Sequence, residues 1–300
     1  MKLDRERQGE MLALIGVVLW ALFPIVTILT YSSALPAVVS LAWSTLFAGI
    51  FLGIVFALRR SWSEIRNKSA LKDIALIALF NGVGYYTFFF IGLKYTSAGN
   101  ASIMSLMEVF FSFLFFQVFK GQRMPRVYIF GSVLMLAGAI VLLLPNLQSL
   151  NKGDFFIFAA TIFAPIGNFY QQAARKKVSS GTIIFVRSVM ATPLIFFMAY
   201  LLGDKVSYVD FRQSFVFLLI NGAVLLGLSK IIWTETIHRI SVPKAISMSL
   251  SIMPFLTLFF AWLILKEVPT VWQLVSLAPL VAGVILITRR PQLVPMQDYA

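Results

Sequence analysis

The sequence predicts an all-α integral membrane protein, and its composition and its patterning both support this fold class. Of its 300 residues, 59% are hydrophobic and 12% are charged, about half the share of roughly 25% that is usual in soluble domains. The mean hydropathy is +0.88. The apolar residues form runs of about 20, which is the length that crosses a hydrocarbon core about 30 Å thick. This composition excludes a soluble globular domain and a disordered chain.

Ten apolar segments are predicted to cross the membrane as helices. Their ranges are 9–30, 35–58, 71–93, 97–119, 125–144, 153–173, 179–202, 211–236, 242–265 and 270–288. Ten spans use roughly 200 residues, so this chain accommodates them with short linkers left over. Because the gaps are mostly short, we expect neighbouring helices to run antiparallel.

The gaps between successive spans lie alternately on the two sides of the membrane, and lysine and arginine residues are divided unequally between these sides. The two termini and every second gap hold 18 of the 25, the remaining gaps hold five, and Arg187 and Lys230 lie inside spans. Cytoplasmic loops of membrane proteins carry an excess of these residues, so both termini are predicted to be cytoplasmic in a bacterial-type cytoplasmic membrane. The net charge of +13 therefore indicates topology in membrane lipid, and no nucleic-acid partner is expected.

The two halves of the chain resemble each other. Three short motifs recur 140 to 145 residues later: Asn81-Gly82 as Asn221-Gly222, Met104-Ser105-Leu106 as Met248-Ser249-Leu250, and Ala137-Gly138 as Ala282-Gly283. With a boundary between residues 1–148 and 149–300, each half holds five spans, and an odd number makes the second half enter the membrane from the opposite side. We therefore predict two inverted five-helix repeats around a central cavity, a plan that recurs in secondary transporters.

Several segments resemble those of a known transporter family. They are residues 92–102 (GLKYTSAGNAS), 241–245 (SVPKA) with the later Met253-Pro254, 266–270 (KEVPT) and 280–285 (LVAGVI). Across two tandem copies, the chain resembles the EamA-type members of the drug/metabolite transporter superfamily. The resemblance implies a ten-helix carrier with a central cavity, alternating access and, usually, export of small metabolites, and it leaves the substrate open.

The first copy departs from the family pattern in its fourth span. The proline of the second copy, Pro254, has no counterpart there, and Glu108-Val109-Phe110 stands in its place. We expect the fourth helix of the first half to be straighter than its counterpart in the second half.

Charged residues inside the spans are the first candidates for a functional site, because a charge in the bilayer is expensive and rare. Glu108 is predicted to contact the solute or to carry a coupling proton, and its alternative is a structural hydrogen bond to a neighbouring helix. Arg187 could pair with Glu108, bind an anionic group such as a carboxylate, or bond to backbone carbonyls. Lys230 could contact the ligand or extend its ammonium group to water.

Polar and aromatic residues deep in the spans form a second set of candidates for substrate binding. Asn81 and Tyr85 share one face of the third span, and Asn168 lies in the sixth. Such amides also hydrogen-bond across helices for roughly 0.6 kcal/mol, so packing is the alternative for them. Trp20 and Trp233 could stack on a flat or apolar substrate, or anchor the helices at the interface.

The leading functional hypothesis is a secondary transporter that moves a small organic metabolite across the cytoplasmic membrane. The rough balance of acids and bases in the spans suits an amino acid or a similar zwitterion. No GxxxxGK[ST] loop occurs, so ATP is not expected to drive it directly. With no cysteine and one histidine, we expect no metal site, no cofactor and no enzyme activity. The alternatives are a proton-coupled multidrug or organic-ion exporter and, more distantly, a membrane-embedded enzyme or a channel.

Overall fold

In the computed structural model, the described residues are 5–31, 35–58, 61–120, 126–144, 151–240 and 242–288, and their regular structure is entirely helical. Long helical stretches within these ranges are numbered in chain order: α1 Arg5–Leu29, α2 Ala37–Leu58, α3 Lys68–Leu93, α4 98–120, α5 Arg126–Leu143, α6 Lys152–Arg175, α7 Ser180–Leu201, α8 208–239, α9 242–265 and α10 Val271–Thr288. The predicted all-α fold class is therefore confirmed, and each predicted span overlaps one of these helices.

Hydropathy and length mark part of this bundle as able to cross a membrane. Among the described residues, α1, α2, α3, α7 and residues 208–236 of α8 are long and apolar enough to span a bilayer. Shorter apolar stretches occur within α5, α9 and α10. Many large apolar side chains on the outer surface of these helices are exposed, such as Phe155 and Phe197, which is the pattern expected where lipid rather than water is the solvent.

Helices of the first half pack against helices of the second half. The partners α2 and α7 run antiparallel, because Trp43 contacts Phe196 while Phe56 contacts Phe185. The partners α5 and α10 also run antiparallel. Furthermore, α1 packs against α8 and α9, and α6 packs against α3 and α4. These pairings follow the repeat. The pairs α2–α7 and α5–α10 each join equivalent helices of the two halves, and the contacts of α1 with α8 and α9 correspond to those of α6 with α3 and α4.

Two linkers that connect helices meet at one end of the bundle, which we call the basic end. Glu64, in the short 3-10 helix Ser61–Arg66, accepts hydrogen bonds from the Ser179 backbone N–H at 2.8 Å and from the Thr182 hydroxyl at 2.5 Å. Partial burial opposes ionisation of Glu64, but these hydrogen bonds and the charge of Arg175 outweigh it and lower the pKa of the carboxyl. Lys177 pairs with Asp73 at 2.7 Å, so the two halves are tied together here.

The middle of α3 and the middle of α8 are both widened into π-helical turns. These turns span Ala78–Tyr85 and Ile220–Leu228, and each contains one copy of the repeated Asn-Gly motif. Such turns are rare in proteins and occur frequently at functional sites. Gly222 brings its helix against α2, because a Cβ built on it would lie 2.3 Å from the Ser44 carbonyl oxygen and 2.8 Å from the Phe47 Cβ.

Replacing Gly222 with alanine is expected to destabilise the protein by about 1–3 kcal/mol, because the added methyl group would push α2 and α8 apart. The measurement is the apparent melting temperature in detergent. Gly181→Ala is the matched control, since a Cβ at Gly181 meets nothing within 4 Å and an alanine in a helix is more favourable than glycine by up to about 1 kcal/mol. A Gly222→Ala protein as stable as the control would contradict this packing.

The fourth helix of each half differs from the sequence-based expectation. α4 is interrupted at Ser105 and Leu106, whereas α9 runs as regular α-helix through Pro254 as far as Phe260. The missing proline predicts the straighter helix in α4, whereas the structure shows that α4 is the helix whose regular hydrogen bonding is interrupted at this position. The backbone N–H of Leu106 bonds to the Ile103 carbonyl and that of Glu108 to the Ser105 carbonyl, and these tighter i to i−3 bonds break the regular turn without any proline.

Candidate functional site

The interruption of α4 places Glu108 in the first turn of a new helical segment, Met107–Lys120. Ten residues of helix separate it from Ala98, which corresponds to about 15 Å along the axis. Glu108 therefore lies about half a bilayer thickness from the helix start. A carboxylate at a helix N-terminus is also favoured by the helix dipole.

A chain of hydrogen bonds runs from Glu108 across three helices of both halves. Asn168 on α6 donates from Nδ2 to Glu108 Oε1 at 2.8 Å, and Asn81 on α3 donates from Nδ2 to Asn168 Oδ1 at 3.3 Å. Gly167 permits this approach, because a Cβ on it would lie 2.2 Å from the Asn81 Oδ1 atom. The structure thus brings together three of the residues that the sequence predicted separately.

Tyr85 joins the same group from α3. Its side chain is 5% exposed, and its hydroxyl lies near the Ser105 side chain, at the interruption in α4, and within electrostatic reach of Glu108. Its ring stacks on Phe89 and meets the Tyr86 ring edge-on, with centroids 5.1 Å apart. The predicted pairing of Asn81 and Tyr85 on one side of α3 is consistent with this arrangement.

Two cations lie near one aromatic ring of α3, that of Tyr86. Lys230 Nζ lies 5.9 Å from the Tyr86 ring centroid, and Arg187 Cζ lies 5.7 Å from the same centroid. Lys230 also lies 3.5 Å from the Trp20 ring centroid, close enough for a cation–π contact. Trp20 is itself stacked on Phe23. We call Trp20, Asn81, Tyr85, Tyr86, Glu108, Asn168, Arg187 and Lys230 the central cluster.

The charges of the central cluster do not form ion pairs with one another. Lys177–Asp73 and Arg239–Glu235 are ion pairs elsewhere in the bundle. Within the part of the chain that the structure describes, no ion pair joins Glu108 to Arg187 or Lys230. Arg187 is 4% exposed and does not pair with Glu108, which was one option from the sequence. The charge of Lys230 acts on the Glu108 carboxylate from a distance.

Two buried amide oxygens related by the repeat also lack protein partners. Asn81 Oδ1 and Asn221 Oδ1 are buried and accept no hydrogen bond from the described residues. Asn221 donates instead from Nδ2 to the Thr27 hydroxyl at 3.0 Å. Because a buried acceptor without a donor is costly, these atoms are suited to receive a donor group from a solute or a water molecule.

Some residues of the site were missed by sequence reasoning, and one candidate lies elsewhere. Neither Tyr86 nor Ser105 was singled out. In a regular helix Tyr86 would face about 100° away from Tyr85, and the π-helical turn that precedes Tyr86 was not evident in the sequence. Trp233 packs with Ala13 and Ile240 towards the basic end, apart from the central cluster. The adjacent tyrosines and the repeated Met-Ser-Leu motif were the available signals.

Comparison with known families decides the affiliation of the chain. The model of the EamA-like transporter family matches residues 7–144 and again residues 151–289. The chain belongs to the EamA-like transporter family. The resemblance inferred from the motifs is therefore confirmed, and so is its occurrence in two copies.

Individual relatives of this EamA-like protein are also transporters by name. It is 26% identical over 285 residues to the "Probable terminal-alkyne amino-acid exporter" of Streptantibioticus cattleyicolor (strain ATCC 35852 / DSM 46488 / JCM 4925 / NBRC 14057 / NRRL 8057), covering 90% of this chain and 93% of that protein. It is 23% identical over 238 residues to the "Uncharacterized transporter YoaV" of Bacillus subtilis (strain 168), covering 75% and 80%.

A solved crystal structure shares the fold of this EamA-like protein. The two superimpose with a TM-score of 0.67 at 17% sequence identity, over 95% of this chain and 98% of the other. Family membership and the apolar helices together identify an integral membrane protein of the transporter class rather than an enzyme class.

Proposed function

We propose that this protein is a secondary transporter with ten membrane-spanning helices, arranged as two inverted five-helix repeats, residues 1–148 and 149–300, around a central cavity. The antiparallel contacts of α2 with α7 and of α5 with α10 support the inversion. The excess of lysine and arginine at the basic end supports a cytoplasmic location for that end and for both termini. Alternating access then follows from exchange of conformation between the two repeats.

The proposed substrate is an amino acid or a similar zwitterion. One observation carries this proposal: oppositely charged side chains, the buried Arg187 and the half-buried Glu108 and Lys230, are present in one cluster and do not pair with each other. An unpaired charge in the bilayer carries a high free-energy cost. A zwitterionic ligand would lower this cost for the acidic and the basic side chains together, because it brings a partner for each. The Streptantibioticus relative, named as an amino-acid exporter, also supports this substrate class.

The chemistry of the cluster suggests how such a solute is held. Its ammonium group would donate to Glu108 and to the free Asn81 oxygen, and its carboxylate would accept from Arg187 and Lys230. Charge-assisted hydrogen bonds of this kind are roughly twice as strong as neutral ones. Tyr86 and Trp20, already in contact with the cations, would provide the apolar surface for a side chain.

The proposed direction is export, and the proposed coupling ion is a proton on Glu108. Glu108 is the membrane-embedded carboxylate of the cluster and its hydrogen bond with Asn168 joins the two halves. A carboxylate that alternately holds a proton and an ammonium group couples the two movements, because each ligand competes for the same oxygens. This exchange needs no cofactor.

The test of the function is counterflow in proteoliposomes, since a carrier exchanges a labelled solute against an unlabelled one and a channel does not. Vesicles loaded with an unlabelled amino-acid mixture are expected to accumulate labelled amino acid transiently above its external concentration. Empty vesicles and vesicles loaded with sugars are the controls. An absence of counterflow with a full panel of amino acids would contradict the zwitterion proposal.

One observation favours organic cations as a second substrate class. Glu108 lies within electrostatic reach of the aromatic residue Tyr85, and carboxylates with aromatic rings suit cationic amines. The buried Arg187 and the half-buried Lys230 oppose this alternative, because they repel such a solute. Counterflow of hydrophobic amines without counterflow of amino acids would select the alternative.

A further inference from the structure

A cluster of polar contacts, most of them half-buried, connects the two halves at the end of the bundle opposite to the basic end. It joins residues 96–100 of the first half to the start of α6 and to residues 267–273 of the second half. We call this cluster the outer latch, and its members are Thr96, Ser97, Ala98, Asn100, Asp154, Glu267 and Gln273. This location and the inference below rest on the proposed function, in which the basic end of the transporter is cytoplasmic.

Asp154 forms the first part of the outer latch. It lies in the first turn of α6 and is 1% exposed. Its carboxylate accepts hydrogen bonds from the Thr96 hydroxyl and from Asn100 Nδ2, the latter at 3.3 and 3.4 Å from its two oxygens. Next to it, Gly153 packs directly on the backbone of the first half, because a Cβ there would lie 2.6 Å from the Thr96 nitrogen.

Gln273 on α10 forms the second part and reaches the same asparagine. Its Nε2 donates to Asn100 Oδ1 at 2.8 Å and lies 3.2 Å from the Ser97 hydroxyl oxygen. Its own Oε1 accepts from the Thr270 backbone N–H at 2.9 Å, so the side chain is held from both ends. Asn100 is therefore bonded on both faces, to Asp154 and to Gln273, by two separate helices of the second half.

Glu267, in the linker before α10, forms the third part. Its Oε2 accepts from the Ala98 backbone N–H at 3.2 Å, and the Gly99 backbone lies close to the same carboxylate. These N–H groups begin α4 and have no partner within their own helix, so a carboxylate from the other half caps α4. A cavity of about 320 Å³ lies beside this contact, lined in part by Asn100, Glu267 and Gln273, and it leaves room for the end of α4 to move.

The repeat places a related contact at the basic end. Gly9-Glu10 precedes Gly153-Asp154 by 144 residues. A Cβ on Gly9 would lie 2.9 Å from the Arg239 Cβ, as Gly153 packs on Thr96. The start of α1 therefore lies against the α8–α9 linker in the same way that the start of α6 lies against the α3–α4 linker.

We propose that the outer latch is the gate that holds the central cluster closed to the outside. Asn100 is its central residue, because it bonds both Asp154 and Gln273. The latch bonds from Asp154, Glu267 and Gln273 to residues 96–100 connect the two halves of the chain. These bonds must break when the repeats exchange conformation. The carboxylates and amides of the latch, of which Asp154 and Gln273 are buried, make the closed state specific, because each partner is left unsatisfied unless water replaces it. Opening of the latch is thus the step that admits water and releases the solute outward.

The absence of cysteine from the sequence makes this gate measurable by single-cysteine labelling. Ser102→Cys is the reporter, since Ser102 is 2% exposed and its hydroxyl lacks a partner among the described residues. A membrane-impermeant maleimide is added to the outer face of right-side-out vesicles, without any solute. Gln273→Leu, which removes the amide and keeps the size, is expected to increase the labelling rate about tenfold, since each lost hydrogen bond favours the open state.

The matched control is Ser276→Ala in the same reporter background. Ser276 lies on the same helix and is fully buried, and its hydroxyl bonds the Gln273 carbonyl within α10 rather than the other half. If Gln273→Leu does not fold, Asn100→Ala tests the latch from the first half. Labelling that matches the Ser276→Ala control in a folded latch variant would overturn the gate. Because the assay uses no solute, its failure is separate from a failure of counterflow.

Discussion

Replacement of Glu108 with glutamine is expected to abolish proton-driven transport of amino acids. Glutamine keeps an oxygen that can accept the Asn168 amide at a similar distance, so the side chain is expected to stay in place. It removes the charge that balances a solute ammonium group and removes the titratable proton site. The variant should therefore show uptake at least about 100-fold slower, the change that about 2.7 kcal/mol of lost stabilisation would produce.

The measurement is uptake of labelled amino acid into proteoliposomes with and without an imposed pH gradient. Any residual exchange by Glu108→Gln should be independent of pH. Glu235→Gln is the control, because it neutralises another carboxylate of the same protein, in the half-buried pair with Arg239 at the end of α8. Retention of the pH response by a folded Glu108→Gln protein would remove the proton-carrying role.

Replacement of Arg187 with methionine is expected to weaken binding of carboxylate-bearing solutes by about 10–100-fold, the equivalent of one charge-assisted hydrogen bond. Methionine occupies a similar volume, so the contact with Tyr86 is largely retained while the charge is lost. The effect should appear in KM for an amino acid and be much smaller for the corresponding amino-acid amide, which has no carboxylate.

Arg187→Lys separates charge from shape in the same assay. Lysine keeps the charge and loses the planar donor arrangement of the guanidinium group, so it should recover part of the affinity for the amino acid. Thermal stability measured in parallel reports on packing. An equal loss for the acid and the amide in Arg187→Met would mean that Arg187 serves the packing of α7 rather than the solute.

The sequence predicted the elements of this fold well because lipid imposes a simple requirement. Each span must be apolar for about 20 residues and must satisfy its own backbone hydrogen bonds, so both its existence and its helical type can be read from composition. The family affiliation was also accessible from the sequence. Segments such as 92–102 and 266–270 include linkers and helix ends, where local turn and cap geometry restricts the residue types.

Local deviations of the helices were less accessible from the sequence. The π-helical turns at Asn81-Gly82 and Asn221-Gly222 and the interruption at Ser105 depend on neighbouring helices that stabilise unusual hydrogen bonding. Gly222, for instance, is matched to the Ser44 carbonyl on α2. The missing proline in α4 pointed to a straighter helix, whereas the observed interruption arises from backbone bonds that residue type alone does not specify.

The sequence by itself determined that this protein is a membrane-embedded bundle of the EamA-like type, with few charges inside its spans. It identified Glu108, Arg187 and Lys230 because any charge in an apolar run stands out. Only the tertiary structure decided which of these meet: Glu108 bonds Asn168 rather than Arg187, and both cations lie near the Tyr86 ring. The physical reason is that partners on different helices are chosen by packing and crossing geometry, which depend on contacts between residues far apart in the chain.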